Sequence, residues 1–93
     1  MVTLAGYSFA PNRACFLCQH VFDGAPVMAF AHEEDGDIQI VCGAKNHSDD
    51  DWHVVGVGHL DLDRMQLMTL PTIDPGYAAD REDVAGEWKV FPL

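Results

Sequence analysis

Basic residues are scarce in this chain of 93 residues. Five Lys and Arg stand against fifteen Asp and Glu, which gives a formal net charge of −10. Proteins bind nucleic acids through cationic contacts to phosphates, and anionic lipid surfaces attract basic segments. We therefore expect neither a nucleic acid nor a membrane surface as a partner. A protein partner with a basic surface fits this charge, because an acidic surface accelerates association with it.

Long apolar runs are missing as well. Asp, Glu, His or Gly interrupts every candidate before the eighteen or so residues that a membrane-spanning helix requires. The beginning of the chain has neither the basic start nor the apolar centre of a signal peptide. The three cysteines are an odd number, which does not indicate a disulfide framework. Together these absences predict a cytoplasmic protein.

The chain has no internal repeat, no low-complexity tract and no linker composition. We therefore predict a single domain over residues 1–93. Since 48% of the residues are hydrophobic, the chain has enough apolar material for a core of its own. A metal ion is thus compatible with folding but not required for it.

Apolar patterning predicts an α+β fold, with a small antiparallel sheet of four or five strands and one or two short helices. Residues 27–31 and 37–42 are apolar stretches that flank Asp35-Gly36. This dipeptide favours a tight reversal, so the two stretches are expected to pair antiparallel. Residues 52–60 are rich in valine and predict a third, central strand.

The other predicted elements are short. Asp61 is a suitable N-cap for a helix over residues 62–70, where apolar residues recur at helical spacing and Pro71 ends the run. The remaining expectations are an extended arm or strand within residues 2–9, one or two helical turns within residues 78–84, and a terminal strand over residues 88–91.

Cysteine and histidine residues occur at spacings that are typical of zinc ligands. Cys15-x2-Cys18 is one local pair, Cys42-x4-His47 is another, and the predicted hairpin between the pairs would bring them together. The sequence therefore makes Cys15, Cys18, Cys42 and His47 candidate ligands of Zn²⁺. His20 is a competing ligand, because Cys18-x-His20 is also close enough to chelate.

Two other interpretations of these residues remain open. Cys18 and Cys42 fit equally well as small buried core residues, with Cys15 incidental and His47 in a loop. Alternatively, Cys15 and Cys18 form a redox dithiol, but that chemistry needs a helix N-terminus and a βαβ setting, and neither is predicted.

Several short segments follow one another along the chain: His20-Val21-Phe22-Asp23-Gly24, Pro26-Val27, Asp35-Gly36-Asp37, Gln39, Cys42-Gly43, His47, Val54-Val55-Gly56, His59-Leu60, Leu70-Pro71 and Ala79-Asp80-Arg81-Glu82. With these segments the chain resembles, from Cys18 to about Arg81, a family of small, uncharacterised bacterial proteins. That family has an H-V-x-x-G-x-P-V segment, then D-G-x-W-Q-x-x-C-G, a histidine, an acidic loop and V-V-G-L-x-H-L. The resemblance implies a bacterial source and a compact single domain, and it implies no catalytic residue. Ile38 stands where the pattern has tryptophan, and Cys15 lies outside the similar part.

No set of residues has the local signature of a catalytic nucleophile with its base. We therefore expect a non-enzymatic, acidic binding module whose partner is a protein with a basic surface. The alternative is a small structural zinc-binding domain that uses Cys15, Cys18, Cys42 and His47.

Overall fold

The computed structural model describes residues 1–42 and 52–93. Within them the chain is mostly sheet, with one short α-helix and one 3-10 turn. The strands are β1 (Val2–Leu4), β2 (Tyr7–Phe9), β3 (Ala14–Cys18), β4 (Ala29–His32), β5 (Ile38–Val41), β6 (Trp52–Gly56), β7 (Tyr77–Asp80) and β8 (Lys89–Pro92). The helix α1 is Gln19–Phe22 and the 3-10 helix is Val57–His59.

Six of the strands form one mixed sheet in the order β6-β3-β5-β4-β7-β8. Its pairs are antiparallel except for β3 and β5, which run parallel. The chain leaves β3 through α1, passes along β4 and returns as β5. The carboxyl ends of β3 and β5 therefore lie side by side at one end of the sheet.

Strands β1 and β2 form a separate hairpin with a two-residue turn at Ala5 and Gly6. Both residues have positive φ angles, 52° and 80°, as a type I′ turn requires. Glycine is needed at the second position, because a Cβ on Gly6 would lie 2.4 Å from Oγ1 of Thr72. The hairpin is held to the rest of the chain by a hydrogen bond from the backbone N–H of Ile73 to the carbonyl of Ala5.

One face of the six-stranded sheet carries the hydrophobic core. Along β3, β4 and β5 every second residue is buried, and segments outside the sheet pack on these residues. The imidazole of His32 is also buried on this face, where its Nδ1–H donates to the carbonyl of Ile73 at 2.8 Å. The largest fully buried side chains are Phe30, Ile38, Ile40, Leu67, Ile73, Val27 and Val57.

Part of the predicted fold is confirmed. Strands β4 and β5 form the predicted antiparallel hairpin around Asp35-Gly36, and Gly36 has the expected positive φ of 93°. Strand β8 confirms the terminal strand predicted over residues 88–91, with a shift of one residue. Among the described residues no helix has the length and apolar character to cross a bilayer.

Other predictions about the fold are wrong. The sheet is mixed and has more strands than the predicted four or five, because Ala14–Cys18 and Tyr77–Asp80 form strands that were not expected. The predicted central strand, β6, lies at an edge of the described sheet. Of residues 78–84, which were expected to contain helical turns, residues 78–80 belong to β7 instead.

The helix predicted over residues 62–70 is a series of turns. The carboxylate of Asp61 does accept a hydrogen bond from the backbone N–H of Arg64, as an N-cap would. However, Gln66 has a φ of 57°, which lies in the left-handed region and stops a right-handed helix after one turn.

Candidate metal centre

Three side chains that can bind a metal converge at the end of the sheet where β3 and β5 finish. The ligand atoms of Cys18, His20 and Cys42 all lie within 4.8 Å of one another. The Sγ atom of Cys42 lies 3.5 Å from Nδ1 of His20. Two sulfurs and one imidazole nitrogen form a donor set that could hold a soft or borderline metal ion.

The parallel pairing of β3 and β5 creates this arrangement. Cys18 is the last residue of β3, and Cys42 directly follows the last residue of β5. The register pairs Leu17 with Ile40, so that the two cysteines leave neighbouring strands at nearly the same level. Helix α1 begins immediately after Cys18, which places His20 beside both sulfurs.

One separation within the group agrees with the dimensions of a tetrahedral metal site. Zinc–sulfur bonds of about 2.3 Å and zinc–nitrogen bonds of about 2.0–2.1 Å place sulfur and nitrogen about 3.5 Å apart at a tetrahedral angle. Cys42 Sγ and His20 Nδ1, which are within hydrogen-bond distance, also lie 3.5 Å apart. This separation is compatible with a metal ion bound by both atoms.

The three ligands differ in their exposure to solvent. The side chain of Cys18 is 0% exposed, Cys42 is half-buried and His20 is exposed. The group therefore has a buried side formed by Cys18 and an open side formed by His20. A metal ion from solution can reach the ligands without unfolding of the sheet.

A set of side-chain contacts fixes helix α1 to the neighbouring strand. Nε2–H of His53 donates to Oε1 of Gln19 at 2.5 Å, and Nε2 of Gln19 donates to the carboxylate of Asp23 at 2.9 Å. The ring of Phe22 stacks on the imidazole of His53, with 4.0 Å between centroids and 10° between planes. Because His20 belongs to the same helix, these contacts also limit its movement.

The structure brings together two of the four predicted ligands, Cys18 and Cys42, and adds His20, which the sequence indicated only as a competitor. Cys15 does not join the group. Three residues of extended chain separate it from Cys18 by about 10 Å, and the odd interval turns the two side chains to opposite faces of the strand. The fourth predicted ligand, His47, lies outside the described residues.

The environment of Cys15 also makes it a poor ligand. Its side chain is fully buried between Ile38 on β5 and Val55 on β6. This burial raises the pKa of the Cys15 thiol to about 12. Metals bind the thiolate, so a thiol that keeps its proton at neutral pH competes poorly for them. In the described chain, the three cysteines are not joined in disulfides.

Comparisons of this chain with protein-family models, with curated proteins and with solved structures found no match.

Proposed function

We propose that this protein is a small zinc-binding domain in which Cys18, His20 and Cys42 hold the ion. The observation that carries the proposal is the convergence of the three ligand atoms within 4.8 Å, with the sulfur of Cys42 and the nitrogen of His20 at the separation of a tetrahedral site. Two thiolates and an imidazole are a common donor set for zinc. Reduced thiols of this kind persist in the cytoplasm, the predicted compartment.

The proposed role of the ion is structural. It would join the end of β5 to the end of β3 and to the start of α1, which follows β3 directly in the chain. Binding energy at such a point adds to the free energy of unfolding, because the unfolded chain does not hold the three ligands together.

A structural zinc site is completed by a fourth ligand. The sequence predicts that this ligand is His47, five positions after Cys42. The prediction stands as part of this proposal, and a His47→Ala variant tests it directly. If His47 is the fourth ligand, the variant binds zinc more weakly than the wild type but more strongly than a Cys18→Ser variant.

Elemental analysis of protein purified without chelator provides the main test. We expect one zinc ion per chain in the wild type and a strong loss in Cys18→Ser, Cys42→Ser and His20→Ala. Cys15→Ala is the matched control, because it removes a thiol of the same chain that lies outside the group. Absence of zinc from wild-type protein supplied with the metal would contradict the proposal, and so would equal losses in Cys15→Ala and Cys18→Ser.

A second candidate function is the binding of a protein with a basic surface. Each of the four described cationic side chains is occupied by groups of the chain itself. Arg13 lies 3.6 Å from Asp37, Arg64 lies 3.9 Å from Asp61, and Lys89 lies 3.6 Å from Glu82. The fourth, Arg81, is buried. Most of the fifteen carboxylates therefore remain uncompensated and create a negative field around the molecule.

A salt series tests this second candidate with any identified basic partner. Association driven by opposite charges weakens as salt is raised from about 0.05 M to about 0.5 M, because the screening length falls. Binding that is unchanged over this range would argue against the electrostatic mechanism.

A further inference from the structure

One row of residues crosses all six strands of the sheet on the face opposite the core. The backbone register links each member to the next, from β6 at one edge to β8 at the other. Directly paired residues point to the same side of a sheet, so all six share one face. The members of this outer row are Val54, Phe16, Gln39, Ala31, Ala78 and Phe91.

The outer row is apolar except for Gln39, yet among the described residues none of its members belongs to the hydrophobic core cluster. Val54 is 60% exposed and Phe91 is 40% exposed, Phe16 and Ala31 are half-buried, and Ala78 is buried at 5% exposure. The residues between them along each strand, such as Ile40 and Phe30, are buried on the core side. The sheet thus carries an apolar row outside the core cluster, whose exposed members lie on the two edge strands.

The sizes of the residues along the outer row predict a shallow trough. Ala31 and Ala78 lie next to each other in the outer row, and Ala29 lies on the same face two residues before Ala31. The larger rings of Phe16 and Phe91 stand on either side, four strand spacings or about 19 Å apart. An α-helix with its side chains is about 10–12 Å wide, so one helix fits on this alanine floor between the two rings.

Carboxylates flank the trough. Asp80 is exposed on the same face, where the register places it between Ala29 on β4 and Lys89 on β8. The cation of Lys89 is itself paired with Glu82 at 3.6 Å. At the other end of β4, strand alternation places Glu33 on this face, and its backbone N–H continues the pairing through a hydrogen bond to the carbonyl of Asp37. A second copy of the chain would bring equal acidic groups and a charge of −10 to the contact, which repulsion opposes. A basic partner is attracted instead.

We propose that the outer face of the sheet binds an amphipathic helix from a partner protein, with small apolar residues along its contact stripe and Lys or Arg on both flanks. Ala29, Ala31 and Ala78 would contact the apolar stripe of the partner helix, and the carboxylates of Glu33 and Asp80 would pair with its cations. The inference rests on the second proposed function, the acidic binding module, and does not require metal binding, although Cys18 lies on the same face two residues after Phe16.

A titration followed by NMR tests the proposal with a defined probe. The probe is a synthetic helix of about 18 residues, or five turns, with an Ala/Leu stripe and Lys flanks. A second peptide carries Glu in place of each Lys. We expect the Lys peptide to shift the amide signals of β3, β4, β7 and β8, and the Glu peptide to leave them unchanged.

Two variants locate the binding site. Ala31→Arg puts a long cation on the trough floor and is expected to weaken binding of the Lys peptide by tenfold or more, whereas Met68→Arg adds the same charge elsewhere. Met68 is 70% exposed and belongs to no strand, so this control alters net charge without touching the trough. Equal affinity in the two variants would overturn the proposal.

The remaining outcomes are also decisive. If the Lys peptide shifts other surfaces and Ala31→Arg binds it normally, the acidic binding module stands and the outer-face site fails. If the Lys peptide does not bind, the outer-face site is wrong, and the salt series with a basic protein then tests the acidic binding module separately.

Two further outcomes concern what occupies the outer face. A concentration-dependent dimer that Ala31→Arg abolishes would identify a second copy as the occupant. Strong thermal destabilisation by Ala31→Arg but not Met68→Arg would show that the chain itself covers the trough.

Discussion

At the residue scale, Cys15 and Cys42 differ in thiol reactivity, because Cys15 lies in the interior of the sheet. Cys15 is fully buried, and its pKa is raised to about 12, whereas Cys42 is half-buried at the end of a strand. The thiolate is the reactive form of cysteine, and at about pH 8 a thiol with this pKa is deprotonated in roughly one molecule in ten thousand. Only Cys42 and the adjacent Cys18 are therefore suited to metal binding.

This difference predicts selective alkylation. In the folded, metal-free protein at about pH 8, iodoacetamide is expected to modify Cys42 first and to leave Cys15 unmodified. Mass spectrometry of peptides from a time course measures the order, and the same reaction in guanidinium chloride is the control in which all three cysteines react. Labelling of Cys15 at the rate of Cys42 in the folded protein would contradict the burial argument.

The raised pKa of Cys15 also predicts loss of stability at alkaline pH. An unfolded thiol titrates near pH 8.5, whereas the folded Cys15 keeps its proton up to about pH 12. The Cys15 thiol makes its full contribution to the free energy of unfolding at pH values below the pKa of the unfolded thiol. This contribution is lost as the pH rises toward the pKa of the thiol in the folded protein. Between about pH 7.5 and 9.5 the metal-free wild type should lose about 1 kcal/mol more unfolding free energy than Cys15→Ala.

Urea denaturation of both proteins with chelator at the two pH values checks this prediction. Cys18 and Cys42 are present in both, so their titration cancels in the comparison. The substitution lowers stability at both pH values because it leaves a cavity, and only the pH dependence carries information on the thiol. Equal pH dependence in the two proteins would mean that Cys15 titrates normally.

At the element scale, Arg81 ties the end of β7 to the segment that leads into β8. Its Nε and Nη2 donate to the carbonyl of Val27 at 3.0 and 2.7 Å, and Nη1 donates to the carbonyl of Val84 at 3.1 Å. The guanidinium also lies 4.2 Å from the centre of the Trp88 ring. One buried side chain thus binds two backbone carbonyls, one before β4 and one before β8, and lysine lacks the planar fork that makes these bonds.

Arg81→Met is therefore expected to lower the unfolding free energy by about 2–4 kcal/mol, since it leaves the buried carbonyl of Val27 without these donors. Lys89→Met is the matched control. It removes only an exposed ion pair with Glu82, which contributes at most about 1 kcal/mol. Chemical denaturation measures the unfolding free energy of both variants. Similar decreases in the two would show that the contacts of Arg81 do not stabilise the fold more than an exposed ion pair does.

Local signals allowed some of these elements to be predicted from the sequence. Asp35-Gly36 determines the β4–β5 hairpin, because the turn brings together strands that are adjacent in the chain. Strand β7 was not predictable in this way. Its sequence, Tyr77 to Asp80, contains two alanines that favour helix, but pairing with β4 on one side and β8 on the other outweighs that preference.

The candidate site, like the fold, was predictable only in part from the sequence. Cys18 and Cys42 follow from ligand spacing alone. The choice of His20 over Cys15 depends on the chain turning from β3 into α1 immediately after Cys18, and on the parallel pairing of β3 with β5. Parallel pairing is a long-range contact that spacing does not encode, so the sequence predicted the β4–β5 hairpin but not the pairing of β5 with β3.

At the scale of the whole molecule, the core and the proposed zinc site contribute to stability separately. The largest buried side chains, among them Phe30, Ile38 and Ile73, belong to a core cluster in which Cys18 is the one fully buried member of the three described ligands. The core is therefore expected to form without the metal. Bound zinc would add the free energy of its binding, which is about 4 kcal/mol when the free ion is a thousandfold above its dissociation constant.

Removal of the metal is thus expected to lower the melting temperature without unfolding the protein. For a domain of this size about 4 kcal/mol corresponds to a shift on the order of 15–30 °C, measured by circular dichroism with and without EDTA. Cys18→Ser should melt at the same temperature in zinc and in EDTA, since it has lost a ligand.

An unchanged wild-type melting temperature in EDTA would refute the structural role of zinc. Complete unfolding in EDTA at room temperature would refute the independence of the core, because the sheet would then depend on the link between β3 and β5.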